Sequence, residues 1–243
     1  MGSTRHRMIS AGVGDYVSDG LVVLFDGINN TGNGHDSTST VWNALVGNIT
    51  LTKVSGGSWK DNALHFEPTS ASDTYHWQDM TSTSVYTDTM TVEVCMRPTP
   101  SDTVADWATG KAGVVVNISS RANNSLRRIM LSKTDVSVGG YTNGTNEFAP
   151  TGLTSLLDIR HIAVTYHEAT GSDDVYCNGV LKIKSANHTY GENKRDYIFC
   201  GCSQGNSKYP YLGDIYSIRV YNRILSGEEI AHNFLIDKMR YGL

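Results

Sequence analysis

No run in this sequence of 243 residues approaches the ~20 consecutive apolar residues that carry a helix across a bilayer, so membrane insertion is not expected. Proline is scarce, with 5 residues, and neither sign of charge dominates: 20 Lys and Arg stand against 24 Asp and Glu. The basic residues are scattered singly, Arg127–Arg128 and Lys182/Lys184 being the densest spots. Duplex binding usually leaves a basic patch or stripe, so nucleic acid is not an expected partner. Residues Met1–Gly20 carry Arg5 and Arg7 with no apolar block behind them, which is not a signal-peptide pattern. Residues 1–18 read instead as a flexible arm in front of a single domain, 19–243, and export by a signal peptide is not expected.

Cysteine is equally sparing. Cys95, Cys177, Cys200 and Cys202 include no paired Cys-x₂-Cys knuckles, so a four-thiolate zinc site is not indicated. Cys200 and Cys202, two apart in an apparent strand, share a face with poor geometry for a mutual disulfide. Small buried thiols are the expectation, with one long-range disulfide as the alternative.

What the chain does have is glycine, with 24 residues, and much Thr, Ser, Asn and Val. That composition suits short strands joined by tight turns. Period-two alternation marks strands at Leu21–Asp26, Ile49–Val54, Ala63–Glu67, Met90–Arg97, Gly113–Ile118, Arg128–Ser132, His161–Tyr166, Val175–Cys177, Val180–Lys184, Tyr197–Cys202 and Asp214–Tyr221. Turn signals fall at Gly27, Gly56-Gly57, Gly139-Gly140, Asn143-Gly144 and Asn178-Gly179, the last being a strong hairpin signal. One helix follows, opened by a Ser226–Glu229 capping box and carrying an apolar stripe of Ile230, Ala231, Phe234, Leu235 and Met239. The stripe is expected to dock on the strands. Many strands without interleaved helices predict an all-β sandwich or barrel.

Several segments, in order, resemble the laminin G-like/concanavalin A-like jelly-roll superfamily, especially its pentraxin-like bacterial and phage branch. They are Asp19-Gly-Leu-Val-Val-Leu-Phe-Asp-Gly-Ile-Asn-Asn30, Ala63-Leu-His-Phe-Glu67, Met90-Thr-Val-Glu-Val-Cys-Met-Arg97, Arg160-His-Ile-Ala-Val-Thr-Tyr166 with Val175-Tyr-Cys-Asn-Gly179, and the closing segment from Gly213 to Ile230. The resemblance implies a two-sheet antiparallel jelly-roll sandwich with one C-terminal helix, its first and last strands side by side. It also implies calcium near the first turn, held by Asp26, with Asp214 on the neighbouring strand able to face it. The family's acidic pair after Gly-x-Ile reads Tyr216-Ser217 here, so one expected ligand is missing.

Fold does not fix function. Glycanases of this fold resemble one another in a Glu-x-Asp-x-(x)-Glu strand that groups the carboxylates, and no such strand occurs here. His161 and Tyr166, of the types that lyases use, fall on opposite faces of one strand. Gly-x-Ser-x-Gly, the phosphate-binding loop and His-Glu-x-x-His are all absent. An enzyme is therefore not expected. Glycan binding would instead draw on exposed aromatic faces, for which Tyr75, Trp77, Trp107, Tyr141, Tyr209 and Tyr211 are the candidates, whereas Trp42 and Trp59 sit beside core-like runs. The expectation is a virion protein of the capsid decoration, fibre or tail type, assembled in multiple copies with other virion proteins and facing surface glycans. The rivals are a lectin or adhesin module of a bacterial cell surface and, last, a polysaccharide-degrading enzyme.

Overall fold

The computed structural model describes residues 15–69, 73–79, 85, 87, 89–99, 113–119, 126–131, 136–142, 145–150, 160–167, 172–187, 197–201 and 210–243. Its strands are β1 (Leu21–Asp26), β2 (Val41–Asn43), β3 (Thr50–Ser55), β4 (Ser58–Lys60), β5 (Ala63–Phe66), β6 (His76–Asp79), β7 (Thr89–Pro98), β8 (Gly113–Ser119), β9 (Leu126–Leu131), β10 (Val136–Thr142), β11 (Thr145–Pro150), β12 (His161–His167), β13 (Ser172–Cys177), β14 (Val180–Asn187), β15 (Tyr197–Cys200) and β16 (Gly213–Tyr221). A 3-10 turn, Gly27–Asn29, follows β1, and the helix α1 (Gly227–Tyr241) closes the chain.

The strands form two antiparallel sheets. The first runs β14-β13-β12-β7-β16-β5-β4; the second runs β11-β10-β9-β8-β15-β6-β3-β2. β16 is the hub of the first sheet. One side pairs with β7 along nearly its whole length, and the other pairs with β5 at Gly213–Ile215 and with β1 from Ser217 to Tyr221. First and last strands thus lie side by side, as the resemblance implies.

Alternation explains the core. On β12, Ile162, Val164 and Tyr166 enter the space between the sheets, while His161 and Ala163 point the other way. Facing them, the second sheet contributes Leu51, Trp77, Val116, Ile118, Ile129, Ile198 and Cys200. Trp42, Trp59 and Trp77 meet edge to face at centroid distances of 5.2 and 5.6 Å, the arrangement that ring quadrupoles favour. Cys95, Cys177 and Cys200 are all buried.

The hairpin at Asn178-Gly179 forms as expected, with both residues at positive φ (50° and 75°). Gly139 and Gly140 do not turn. They lie inside β10 opposite Phe148 and Glu147, and β10 pairs with β11 from Thr142↔Thr145 outward. β2, β4, β6, β10 and β11 are strands that periodicity did not mark.

The helix begins where expected: Ser226 Oγ accepts from the Glu229 amide at 3.2 Å, and Glu229 Oε2 accepts from Ser226 N at 2.8 Å. Its docking face, however, is rotated from the expected stripe. Ile230, Asn233, Ile236 and Asp237 are buried, whereas Leu235 and Met239 are 55% and 56% exposed. Of the expected arm, residues 1–14 lie outside the described ones. Asp15–Ser18 are held against α1: the buried Tyr16 donates to Asp237 at 2.7 Å, and Val17 N donates to Asn233 at 3.0 Å.

Burial sets opposite outcomes for two apolar helix residues. Ile230→Ala is expected to cost about 2–5 kcal/mol in urea unfolding, whereas Leu235→Ala should change stability by less than about 0.5 kcal/mol. Equal losses from the two substitutions would place the docking face on the apolar stripe instead.

Candidate functional site

The outer face of the first sheet carries a sealed cluster of charges. Period two puts Ser217, Arg219 and Tyr221 of β16 on one face, and the register sets Arg219 opposite Glu93 of β7. Arg219 Nε donates to Glu93 Oε2 at 2.7 Å, and Nη1 and Nη2 donate to the two oxygens of Asp237 at 2.8 and 2.7 Å. Asn233 Nδ2 donates to Glu93 Oε2 at 2.8 Å and to Tyr221 Oη at 3.0 Å. His161 Nε2 lies 3.4 Å from Glu93 Oε1, and the Arg219 guanidinium lies 4.3 Å from the Tyr16 ring centre. Every charged side chain of the cluster is fully buried.

These surroundings fix protonation states. Burial pushes Glu93 up, but the Arg219 charge and the His161 contact outweigh it and hold the carboxyl below its ordinary range. Burial would lower Arg219, but the Asp237 and Glu93 charges hold it well above its usual value. Burial, reinforced by Asp237, raises the Tyr16 phenol, and burial with Glu93 raises that of Tyr221. The cluster therefore presents the ionised Glu93 carboxylate to the Arg219 guanidinium, with neutral phenols beside them. Sealed under α1, it ties the helix to the sheet and offers no route for a substrate.

The outer face of the second sheet is different. There the register aligns Thr52 of β3, Gln78 of β6, Phe199 of β15 and Asn117 of β8 in one row across four strands. Asn117 is fully buried, yet neither its amide nitrogen nor its amide oxygen has a hydrogen-bond partner. Phe199 beside it stands 6.0 Å from the buried ring of His76. Gln78 is half-buried and Thr52 is exposed, so exposure grades along the row toward water. A planar amide beside aromatic rings can exchange hydrogen bonds with hydroxyl groups and cover an apolar ring face. Sequence reasoning missed this row, although Asn117, a lone amide in the run Val114–Ile118, was its available signal.

The residues singled out in the sequence are not gathered into one site. Trp77 is fully buried and donates to the Gly56 carbonyl at 3.2 Å, and Tyr211 is fully buried and donates to the Asp214 carbonyl at 3.1 Å. As candidates for stacking on sugars, both are corrected: their faces are spent on the core. Tyr75 is half-buried and packs against that core. Tyr141 lies on β10 opposite Asn146. Trp107 and Tyr209 lie outside the described residues. Asp26 and Asp214 are not brought together. Asp26 faces Ser217 in the ladder, is bonded by Ile28 N at 2.8 Å and Tyr241 Oη at 3.2 Å, and pairs with Arg240. Asp214 pairs with His65 at 2.6 Å. Among the described residues no group of three His, Cys, Asp or Glu side chains is placed to hold a metal ion.

The sealed cluster makes two measurable claims. Arg219→Met leaves two buried carboxylates unopposed and should cost about 3–5 kcal/mol in urea unfolding, most of it recovered when Glu93 and Asp237 are also made leucine. A loss under about 1 kcal/mol for the single change would show the charges to be hydrated. Second, a carboxyl held below its ordinary value of 4.5 stabilises the fold above that pH, and this contribution is lost as the pH falls through the lowered value. Glu93→Gln should therefore flatten the acid limb of the stability profile.

The family model of the concanavalin A-like lectin/glucanases superfamily matches residues 70–231. No curated protein matches the sequence. Among solved structures, a Trypanosoma rangeli sialidase complex superposes with a TM-score of 0.62 at 16% identity, over 91% of this chain and 33% of the sialidase. The binding domain of botulinum neurotoxin serotype G gives 0.62 at 11% identity, over 90% of this chain and 51% of that one. A heptameric SAP-like pentraxin from Limulus polyphemus gives 0.50 at 14% identity, over 64% and 73%. The chain thus spans about a third of the sialidases' length, and the likeness at these identities is one of fold. It nevertheless corrects the expectation that the chain is not an enzyme: a fold shared with sialidases is not excluded from glycoside chemistry by missing motifs. With more than half of its length matched by the family model, and two antiparallel sheets closed by a C-terminal helix, the chain belongs to the concanavalin A-like lectin/glucanase superfamily.

Proposed function

We propose that the chain is a carbohydrate-recognition module whose ligand face is the outer surface of the second sheet, along the row Thr52–Gln78–Phe199–Asn117. The observation that carries this reading is Asn117. A fully buried amide with both polar atoms unpaired costs stability, and such a cost persists where function requires it. A sugar hydroxyl supplies both the donor and the acceptor that the amide lacks. On the first sheet α1 and the Tyr16 segment cover the centre of the outer face, whereas the row on the second sheet, buried at Asn117 and Phe199, opens to water at Gln78 and Thr52. Membership of a superfamily of lectins and glucanases supports the same direction, as does a T. rangeli sialidase solved in complex with sialic acid.

A single shallow sugar site binds weakly, and display in several copies multiplies affinity without new contacts. We extend the proposal accordingly: the chain acts as a multi-copy attachment module on a virion or a bacterial surface. The first and last segments' resemblance to the bacterial and phage branch, and the heptameric pentraxin among the structural neighbours, support that setting. Light scattering of the purified chain tests the extension, which a strictly monomeric protein would contradict.

The site itself is tested by one substitution with two readouts. Asn117→Leu removes an unpaired amide at similar volume, so stability should rise by about 1–3 kcal/mol in urea unfolding. Binding on a glycan array, led by sialosides, should vanish in the same variant. A destabilised Asn117→Leu, or one that keeps the wild-type array profile, would remove the proposal.

A further inference from the structure

Asp26 stands where the family resemblance implies calcium, at the junction of the first strand and its turn. The residues present do not fit that ion. Calcium takes 6–8 oxygen ligands, and the acidic pair expected on the neighbouring strand is Tyr216-Ser217 in this chain. The Tyr216 ring is packed 5.1 Å from that of Tyr241, and Ser217 Oγ accepts from Arg219 at 3.1 Å. Both positions are thus taken up by contacts within the protein.

The Asp26 carboxylate is nonetheless fully buried, and a buried carboxylate requires a counter-charge. The last turn of α1 brings one. Arg240 donates to Asp26 Oδ2, Tyr241 Oη donates to Oδ1 at 3.2 Å, and the Ile28 amide donates to Oδ1 at 2.8 Å. The Arg240 guanidinium carbon lies 5.9 Å from the ring centres of both Tyr16 and Tyr241, within cation–π reach. The Arg240 side chain is only 7% exposed.

We infer that Arg240 is a tethered cation standing in place of the family's metal: Asp26, Tyr16 and Tyr241 form a guanidinium site, and the fold's first turn is held by the C-terminal helix instead of by calcium. The site selects a planar, delocalised cation because a carboxylate and two aromatic rings meet there.

Thermal melting of the full chain tests this. Wild-type Tm should be the same in excess chelator and in millimolar calcium. Arg240→Gln should lower Tm by roughly 5–15 °C, as expected for a buried pair broken in a domain of this size. Arg240→Lys, which keeps the charge but loses the fork, should fall between the two. Methylguanidinium, far below denaturing concentration and against a sodium chloride control, should recover part of the Arg240→Gln loss, whereas calcium should not. The inference is overturned by a saturable calcium-dependent rise in wild-type Tm that Asp26→Asn abolishes, or by an Arg240→Gln melt equal to wild type. Rescue of Arg240→Gln by calcium, or none by methylguanidinium, also overturns it. Should Arg240→Gln fail to fold, the calcium titration of wild type and Asp26→Asn still decides.

Discussion

Arg219 is buried on the central strand of the first sheet, and burying a guanidinium without partners would cost several kcal/mol. Two carboxylates remove that cost here, Glu93 from the adjacent strand and Asp237 from the helix, with the Asp237 contact bidentate. The interaction dictates how the helix lies. Turning α1 to bury Leu235 would gain about 1.5–3 kcal/mol. It would also pull Asp237 off Arg219, which costs more. The polar partnership therefore overrides the apolar stripe, and Leu235 and Met239 are left in water. The N-terminal segment follows, because Tyr16 and Val17 bond to Asp237 and Asn233, residues present on that face only while the helix keeps this rotation.

Strands with one buried face were legible in the sequence because alternation is a direct image of burial. β1 was read to its last residue, and β7, β8, β12 and β16 to within a residue or two. The elements that escaped lacked that image. β2 and β4 are three residues long, too short to show a period. β10 contains Gly139-Gly140, whose turn chemistry was overridden by pairing on both sides, with β9 and with β11. The helix was visible from its cap, but its face was misread, since a sequence pattern counts apolar residues and cannot see that Asp237 will meet an arginine from a distant strand.

The candidate site was harder to read for a related reason. Trp77 and Tyr211 have the same composition signal whether they stack on a sugar or on each other's neighbours, and here burial decided for the core. Asn117 carried little signal because one amide in a run of valines looks like an ordinary surface position. Only topology separates the two faces: α1 covers the outer face of the first sheet. On the second sheet the row is assembled from β3, β6, β15 and β8, whose sequence separations no local pattern spans.

The helix also carries its charges in an order that admits one placement. Asp237 and Arg240 are three residues apart, roughly 4.5 Å along the axis. They address Arg219 and Asp26, which lie on neighbouring strands, two ladder steps apart, since Asp26 is opposite Ser217. A shift of α1 by one turn in one direction would bring Asp237 toward Asp26, and a shift in the other would bring Arg240 toward Arg219, a buried like-charge contact in either case. Apolar packing alone tolerates such slips, because one aliphatic side chain replaces another at little cost. The anion and cation on α1 thus specify its register against β1 and β16. That register in turn holds the covered face of the sandwich closed.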